Sequence, residues 1–120
     1  MITIYHNPRC SKSRDTLALV QTIADEQSLP LHIIDYQKTV PGIADLRAIM
    51  AALGTRDVQS ILRSNEDEYS SLQLQDADMA TALAAIVSHP RLLQRPIVTY
   101  QNKAAIGRPP EHVLTLFKKD

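Results

Sequence analysis

Short apolar runs and helical periodicity alternate in the first third of the chain. ITIY (2–5) and LHIID (31–35) have the length and β-branched content of strands, and Asn7-Pro8 ends the first run. Between them, apolar residues recur at the spacing of one helical face, at Leu17, Val20, Ile23 and Ala24. The pattern therefore predicts a β-α-β unit with parallel strands, in which the helix begins at or near Ser11 or Ser13.

The middle of the chain has a helical pattern. One helix is predicted to open after Pro41-Gly42 and to end at Gly54, with apolar positions at Ile43, Leu46, Ile49, Met50 and Leu53. VQSILRSNEDEY (58–69) predicts a shorter helical stretch that leads into an acidic loop. A further helix, ending at His89-Pro90, carries Met79, Leu83, Ile86 and Val87.

The last part of the chain predicts two strands and a helix. PIVTY (96–100) and KAAIG (103–107) are typical of a strand pair that turns at Gln101-Asn102. A helix after Pro109-Pro110 is expected to direct Val113, Leu114 and Phe117 inward. We therefore expect one α/β domain over residues 1–120, with a mixed four-stranded sheet flanked by helices and a helical insertion between its β-α-β and β-β-α halves.

Composition and charge exclude several classes of protein. The hydrophobic fraction is 44% and the charged fraction 22%, which is ordinary for a globular domain. Thirteen basic residues balance thirteen acidic ones, so no overall field attracts nucleic acid or a membrane surface. No apolar run approaches the ~18 residues of a membrane span, and no signal peptide is recognisable. A cytoplasmic location is the expectation.

The candidate chemistry lies in HNPRCSKSR (6–14), which holds Cys10, the only cysteine. One cysteine forms no internal disulfide, and no Cys/His cluster has metal-ligand spacing, so we expect no metal. A thiol between a strand and a helix N-terminus meets a positive dipole end and free N–H groups, which favour thiolate and bind anions. Ser13 stands where dithiol enzymes of this design carry a second cysteine. Any adduct on Cys10 must therefore be resolved by an external thiol. The alternative is an inert, space-filling cysteine.

Three motifs in register carry a resemblance to a known family. They are YHNPRCSKSRDTL (5–17), ILRSNEDEY (61–69), and HPRLLQRPIV (89–98) followed by IGRPPEHVL (106–114). Together they resemble the arsenate reductases that depend on glutathione and glutaredoxin, over almost the whole chain. The resemblance implies a thioredoxin-like core and no bound cofactor, with glutathione as co-substrate. Thioredoxin-like folds place a cis proline at the position of Pro96, and whether the Arg95–Pro96 bond is cis stays open at this stage.

The resemblance also implies a role for six residues. Cys10 is the expected nucleophile that attacks arsenate, and His6 and Ser13 are expected to stabilise its thiolate. The arsenate and the arsenite product are expected to bind to three arginines, Arg63, Arg95 and Arg108. Glutathione then attacks the adduct, and glutaredoxin reduces the mixed disulfide. Guanidinium groups suit a tetrahedral oxyanion, because they donate paired, charge-assisted hydrogen bonds and stay protonated.

Structural explanations and other functions remain open at this stage. Arg63 is also compatible with a solvated helix face, Arg95 with an ordinary loop residue, Arg108 with a partner for Glu111, and His6 with a turn residue. One alternative function is a monothiol oxidoreductase that acts on glutathione mixed disulfides. Another is a non-catalytic binding module, like the transcription regulators that share this fold.

Overall fold

The computed structural model describes residues 1–118, and these pack as two compact units. The first unit is formed by Met1–Thr39 together with the chain from Arg95 onward, and the second by Val40–Gln94. The second unit interrupts the first in sequence, which is where the helical insertion was predicted. The assignment of residues 1–120 to a single domain stays a prediction, and its last two residues lie outside the described part.

The first unit contains the predicted mixed sheet of four strands. These are β1 (Ile2–His6), β2 (Leu31–Asp35), β3 (Ile97–Tyr100) and β4 (Lys103–Ile106). Their order in the sheet is β2-β1-β3-β4. β1 runs parallel to β2 and antiparallel to β3, and β3 pairs antiparallel with β4. The turn between β3 and β4 uses Gln101 and Asn102, both with positive φ, so this hairpin prediction is confirmed.

The core of the first unit lies between the sheet and two helices. These are α1 (Ser11–Gln27) and a 3-10 helix (Pro110–Phe117), which contact the sheet and each other. Alternate residues of β1 point towards this core, and it is built from Ile2, Ile4, Val20, Ala24, Val98, Val113 and Leu116. Because side chains alternate along a strand, His6 shares the core-facing side of β1 with Ile2 and Ile4. This places an imidazole on the same side of the sheet as α1.

The last helix corrects a prediction made from the sequence. Leu114 was expected to point inward, but it is 37% exposed, and the buried residues are Val113 and Leu116. The reason is the helix type. A 3-10 helix has three residues per turn, so residues three apart share a face. Phe117 is partly buried and packs against the core as expected, with its ring centroid 5.0 Å from that of Tyr100.

The second unit is helical. Its α-helices are α2 (Ile43–Leu53), α3 (Asp67–Ser71) and α4 (Met79–Ser88), and 3-10 turns span Val58–Ile61, Leu74–Asp76 and Pro90–Leu92. α2 packs on α4 through buried apolar residues that include Leu46, Ile49, Met50, Leu83 and Ile86. Ile43, at the start of α2, is 44% exposed instead of joining that face. Within residues 1–118, no helix combines the length and the apolar character needed to cross a bilayer.

Candidate active site

Four segments of the first unit meet at one edge of the sheet, for a topological reason. β1 and β2 are parallel, so the residues that follow both strands lie at the same edge, where His6 pairs with Asp35. β3 is antiparallel to β1, so its first residues come to that edge, and Ile97 pairs with Tyr5. Ile106, at the end of β4, pairs with Ile97. The residues that precede β3 and those that follow β1, β2 and β4 therefore all lie at this edge.

The loop that carries Cys10 is held by its own backbone and by two side chains. Cys10 N–H donates to the Asn7 carbonyl at 3.0 Å, and the Asn7 side chain accepts from Arg9 N–H at 3.0 Å. The Arg14 guanidinium donates to the carbonyl of Pro8 at 3.0 Å. Arg14 N–H donates to the Cys10 carbonyl at 3.0 Å, which makes Cys10 the N-cap residue of α1. The predicted placement of the thiol at a helix N-terminus is confirmed.

The surroundings of Cys10 favour its thiolate. Burial by itself raises the pKa of the thiol. The N–H of Ser13, the Arg95 guanidinium and the N–H of Lys12 together outweigh burial, so the pKa lies below its ordinary value. The Cys10 side chain makes no capping hydrogen bond to α1. The N–H groups of Lys12 and Ser13, in the first turn of α1, favour the thiolate form of Cys10. Cys10 as a residue is partly exposed.

Two of the three predicted arginines lie at the thiol. Arg95 acts on the sulfur by charge and by hydrogen bonding. Nη2 of Arg108 lies 3.9 Å from Sγ of Cys10, and its Nε donates to the carbonyl of Arg95 at 2.8 Å. The peptide bonds Arg95–Pro96 and Arg108–Pro109 are both cis, which answers the question left open for the first of them. The thiol therefore faces two guanidinium groups and a helix N-terminus, which is a strong local field for an oxyanion.

Gly107 allows β4 to end close to α1. A Cβ atom at this position would lie 2.5 Å from Oγ1 of Thr16 and 2.8 Å from Cγ of Pro96, so a side chain here would require these neighbours to shift. Its N–H also donates to the Pro96 carbonyl at 2.9 Å. The missing side chain therefore lets the residue that follows, Arg108, come within reach of the thiol. Sequence reasoning did not single out Gly107 or Thr16.

His6 and Ser13 form a buried pair next to the Cys10 loop. Nδ1 of His6 lies 2.7 Å from Oγ of Ser13, and the same Oγ accepts from Asn7 N–H at 2.9 Å. Burial lowers the pKa of His6, and nearby Arg14 lowers it further, against an opposing effect of Asp35. The imidazole is therefore neutral near pH 7. The contact of Ser13 with the thiolate is through its backbone N–H. The roles of these two side chains in thiolate stabilisation stay predictions.

Arg63, the third predicted arginine, lies in the second unit. Its N–H donates to the Leu92 carbonyl at 2.8 Å, beside the bridge that pairs Leu62 with Leu93. Its Nε lies 3.3 Å from Oε1 of Glu66, and its side chain is only 11% exposed. Arg63 is therefore an ordered, ion-paired arginine rather than a solvated residue on a helix face. Its predicted contact with an oxyanion stays a prediction.

Sequence reasoning missed Tyr36, which lies at the same edge of the sheet. It is the first residue after β2 and is fully buried. Burial raises the pKa of its hydroxyl, and the Arg95 guanidinium, Gln37 and Asn7 act in the opposite direction. A signal was available in the sequence, because the residue after β2 must lie near the residues after β1 when the two strands are parallel.

Within residues 1–118, no three His, Cys, Asp or Glu side chains are grouped so that they could hold a metal ion. The surroundings of the Cys10 thiol suit a nucleophile. A thiolate at a helix N-terminus, next to two guanidinium groups, can attack a bound electrophilic oxyanion whose charge those groups offset.

Comparison with known proteins identifies the family. The sequence model of the ArsC family matches residues 5–116. An arsenate reductase of Haemophilus influenzae is 41% identical over 117 residues, which cover 96% of this chain and 97% of that protein. The Escherichia coli protein YfgD is 40% identical over 117 residues, 96% of this chain and 95% of its own. The chain belongs to the ArsC family.

Solved structures show the same fold. The arsenate reductase from Vibrio cholerae superposes with a TM-score of 0.87 at 39% identity, covering 96% of each chain. The mixed four-stranded sheet with flanking helices is thus the thioredoxin-like fold that was predicted.

Proposed function

We propose that this protein reduces arsenate to arsenite, with Cys10 as the nucleophile. The observation that carries the proposal is the position of the Cys10 thiol at the N-cap of α1, with Arg95 acting on its sulfur and Nη2 of Arg108 3.9 Å from it. Relatives that are called arsenate reductases, at about 40% identity over nearly the whole chain, support arsenate as the oxyanion.

The first step forms a bond between sulfur and arsenic. The Cys10 thiolate attacks arsenic(V), and one arsenate oxygen leaves as hydroxide or, after protonation, as water. Arsenate is an anion at neutral pH and repels a thiolate. The guanidinium groups of Arg95 and Arg108 reduce that repulsion and stabilise the charge as it shifts to the leaving oxygen. We assign Arg63 to the oxyanion as well, on the resemblance of ILRSN to the family motif.

The second step reduces arsenic with external thiols. The glutathione thiolate attacks the Cys10 sulfur, and the sulfur–arsenic bond breaks with its electron pair left on arsenic, giving arsenite. The product on the protein is a mixed disulfide between Cys10 and glutathione. A glutaredoxin thiol then takes the glutathione and restores Cys10. The sequence has no second cysteine, so an external thiol is needed at this step. A reducing cytoplasm is the setting that supplies these thiols.

The test is arsenite production with glutathione and glutaredoxin, measured for the native chain and for Cys10→Ser, Arg95→Ala and Arg63→Ala. We expect no activity in the first variant and, in both arginine variants, a large loss of kcat/KM for arsenate. Arg91→Ala is the matched control, because the Arg91 guanidinium is paired with Glu68.

Two other outcomes would replace the proposal. Turnover of a glutathionylated substrate that is unaffected by Arg63→Ala, without arsenate reduction, would instead identify a monothiol oxidoreductase. Absence of both activities, with a partner protein that still binds the Cys10→Ser variant, would identify a binding module.

A further inference from the structure

Two exposed basic side chains flank Cys10 in the loop, Arg9 and Lys12. In the part of the chain that the structure describes, only their backbone atoms make hydrogen bonds, and neither side chain enters an ion pair. The proposed reaction does not use them, since the cations beside the sulfur are Arg95 and Arg108. Exposed cations next to a nucleophile form a surface that an incoming anion meets before it reaches the sulfur.

The positive charge is a local feature of this loop. The chain has thirteen basic and thirteen acidic residues in total, but residues 1–14 contain three basic residues and no acidic one. The third basic residue, Arg14, donates to the Pro8 carbonyl at 3.0 Å and so holds the loop. Asp35 lies at the same edge of the sheet, and its carboxylate accepts from the N–H of Gln37 at 3.1 Å. The other two cations of the loop are therefore available to a partner from solution.

The thiol that resolves an adduct on Cys10 must come from another molecule, because the sequence has no second cysteine. A thiolate attacks sulfur in line with the bond that breaks, on the side opposite the leaving group. The leaving group in the proposed reaction is the arsenic that we assign to Arg95 and Arg108, both of which are partly buried. The attacking thiol therefore arrives past the exposed residues on either side of Cys10.

We propose that Arg9 and Lys12 form a docking surface for the carboxylates of the resolving thiol, glutathione. Glutathione has a carboxylate at each end and an ammonium group at one, so it is an anion near pH 7. Its carboxylates lie away from its sulfur, where they meet side chains around the thiol rather than those in contact with it. Guanidinium and ammonium groups bind carboxylates by charge-assisted hydrogen bonds. The inference rests on the proposed function in naming glutathione as the resolving thiol.

The test measures how Cys10 discriminates between an anionic and a neutral disulfide, in the absence of arsenate. The Cys10 thiolate attacks oxidised glutathione, which forms the mixed disulfide and releases a glutathione thiolate; hydroxyethyl disulfide reacts in the same way but carries no charge. Intact-mass measurements give both rate constants, and their ratio cancels any change in the thiol pKa. We expect Arg9→Gln and Lys12→Gln each to lower this disulfide ratio about threefold at low salt, and the double variant about tenfold.

Two controls separate docking from a general electrostatic effect. Lys103→Gln removes an exposed cation of the same unit, at the opposite end of β4 from Arg108, and should leave the disulfide ratio unchanged. Iodoacetate and iodoacetamide differ by a single charge next to the reacting carbon, so the ratio of their rate constants reports the field at the sulfur. We expect Arg9→Gln and Lys12→Gln to lower this alkylation ratio less than the disulfide ratio, because the docked carboxylates lie farther from the sulfur.

An unchanged disulfide ratio in the double variant would overturn the inference, and so would an equal fall of both ratios, which would show only a general field. A loss confined to reduction of the mixed disulfide by glutaredoxin would also overturn it, because the surface would then dock a protein. A native chain that fails to reduce arsenate, while the disulfide ratio falls as expected, would remove the proposed function and support the docking surface. Arsenate reduction with an unchanged ratio would support the proposed function and overturn the docking surface.

Discussion

The Arg108 guanidinium is bound to the backbone of Arg95, whose own guanidinium acts on the Cys10 sulfur. Nε of Arg108 donates to the Arg95 carbonyl at 2.8 Å, and its Nη2 lies 3.9 Å from Sγ. The two arginines precede β3 and follow β4, and the pairing of Ile97 with Ile106 brings them together. The register of one hairpin therefore fixes both cations relative to the thiol.

The first prediction concerns the Cys10 thiol. Arg95→Ala should raise its pKa, because the guanidinium supports the thiolate. At a pH below the pKa, each unit of increase slows alkylation about tenfold, since the thiolate is the reactive form. Rates of iodoacetamide alkylation across pH measure this. Arg91→Ala is the control and should match the native profile; a native-like profile in Arg95→Ala would contradict the assignment.

The second prediction separates the side chain of Ser13 from its backbone. Ser13→Ala keeps the N–H that acts on the thiolate but leaves His6 Nδ1 and Asn7 N–H without their buried partner. We expect a loss of about 1–3 kcal/mol in the free energy of unfolding and little change in the thiol pKa. Urea unfolding and alkylation measure the two quantities. Ser11→Ala, at an exposed position, is the control; a large rise in thiol pKa for Ser13→Ala would instead show that the hydroxyl acts on the thiolate.

The third prediction concerns the close approach at Gly107. Gly107→Ala places a methyl group against Thr16 and Pro96, so we expect destabilisation of about 1–3 kcal/mol. Thermal and urea unfolding measure it, and Thr16→Ala in the same chain should restore part of the loss. Gly42→Ala is the control, since its nearest contact is Asp45 Oδ2 at an ordinary 3.6 Å. Equal stability of the two alanine variants would show that the Gly107 site relaxes freely.

The fourth prediction is a pH dependence from His6. Its pKa is lowered in the folded protein by burial, so the unfolded chain takes up this proton at a higher pH. The stabilising contribution is present above the ordinary pKa of about 6.5, and it is lost as pH falls through the lower pKa of the folded state. His6→Gln should therefore lose less unfolding free energy than the native protein between about pH 7.5 and pH 5.

The control for this pH effect is His32→Gln, at an exposed position on β2. Urea unfolding of all three proteins at the two pH values gives the comparison. If the native protein and His6→Gln lost the same unfolding free energy on acidification, burial of the imidazole would not be the cause.

Much of the fold could be predicted because local patterns agree with the tertiary structure. The β-branched runs predicted β1 and β2, and the helical spacing of apolar residues such as Val20 and Ala24 predicted α1. The inward face of the last helix was predicted wrongly at Leu114, because apolar spacing does not distinguish a 3-10 helix from an α-helix over eight residues.

The candidate site was predictable only in part, for a similar reason. Cys10 and its helix N-terminus follow from the local sequence, whereas Arg95 and Arg108 entered through the resemblance. Tyr36 lies at the site because of strand order, and the predicted parallel pairing of β1 and β2 contained a signal for it. Gly107 lies at a close approach in the assembled sheet, and no local pattern around it encodes that approach.

Because Cys10 is the only cysteine, thiol adducts at the active site can be read from a single mass. A glutathione adduct or an alkyl group each adds a fixed increment to the intact chain, and no second thiol confuses the assignment. A mass spectrum taken during turnover would therefore report directly which intermediate accumulates.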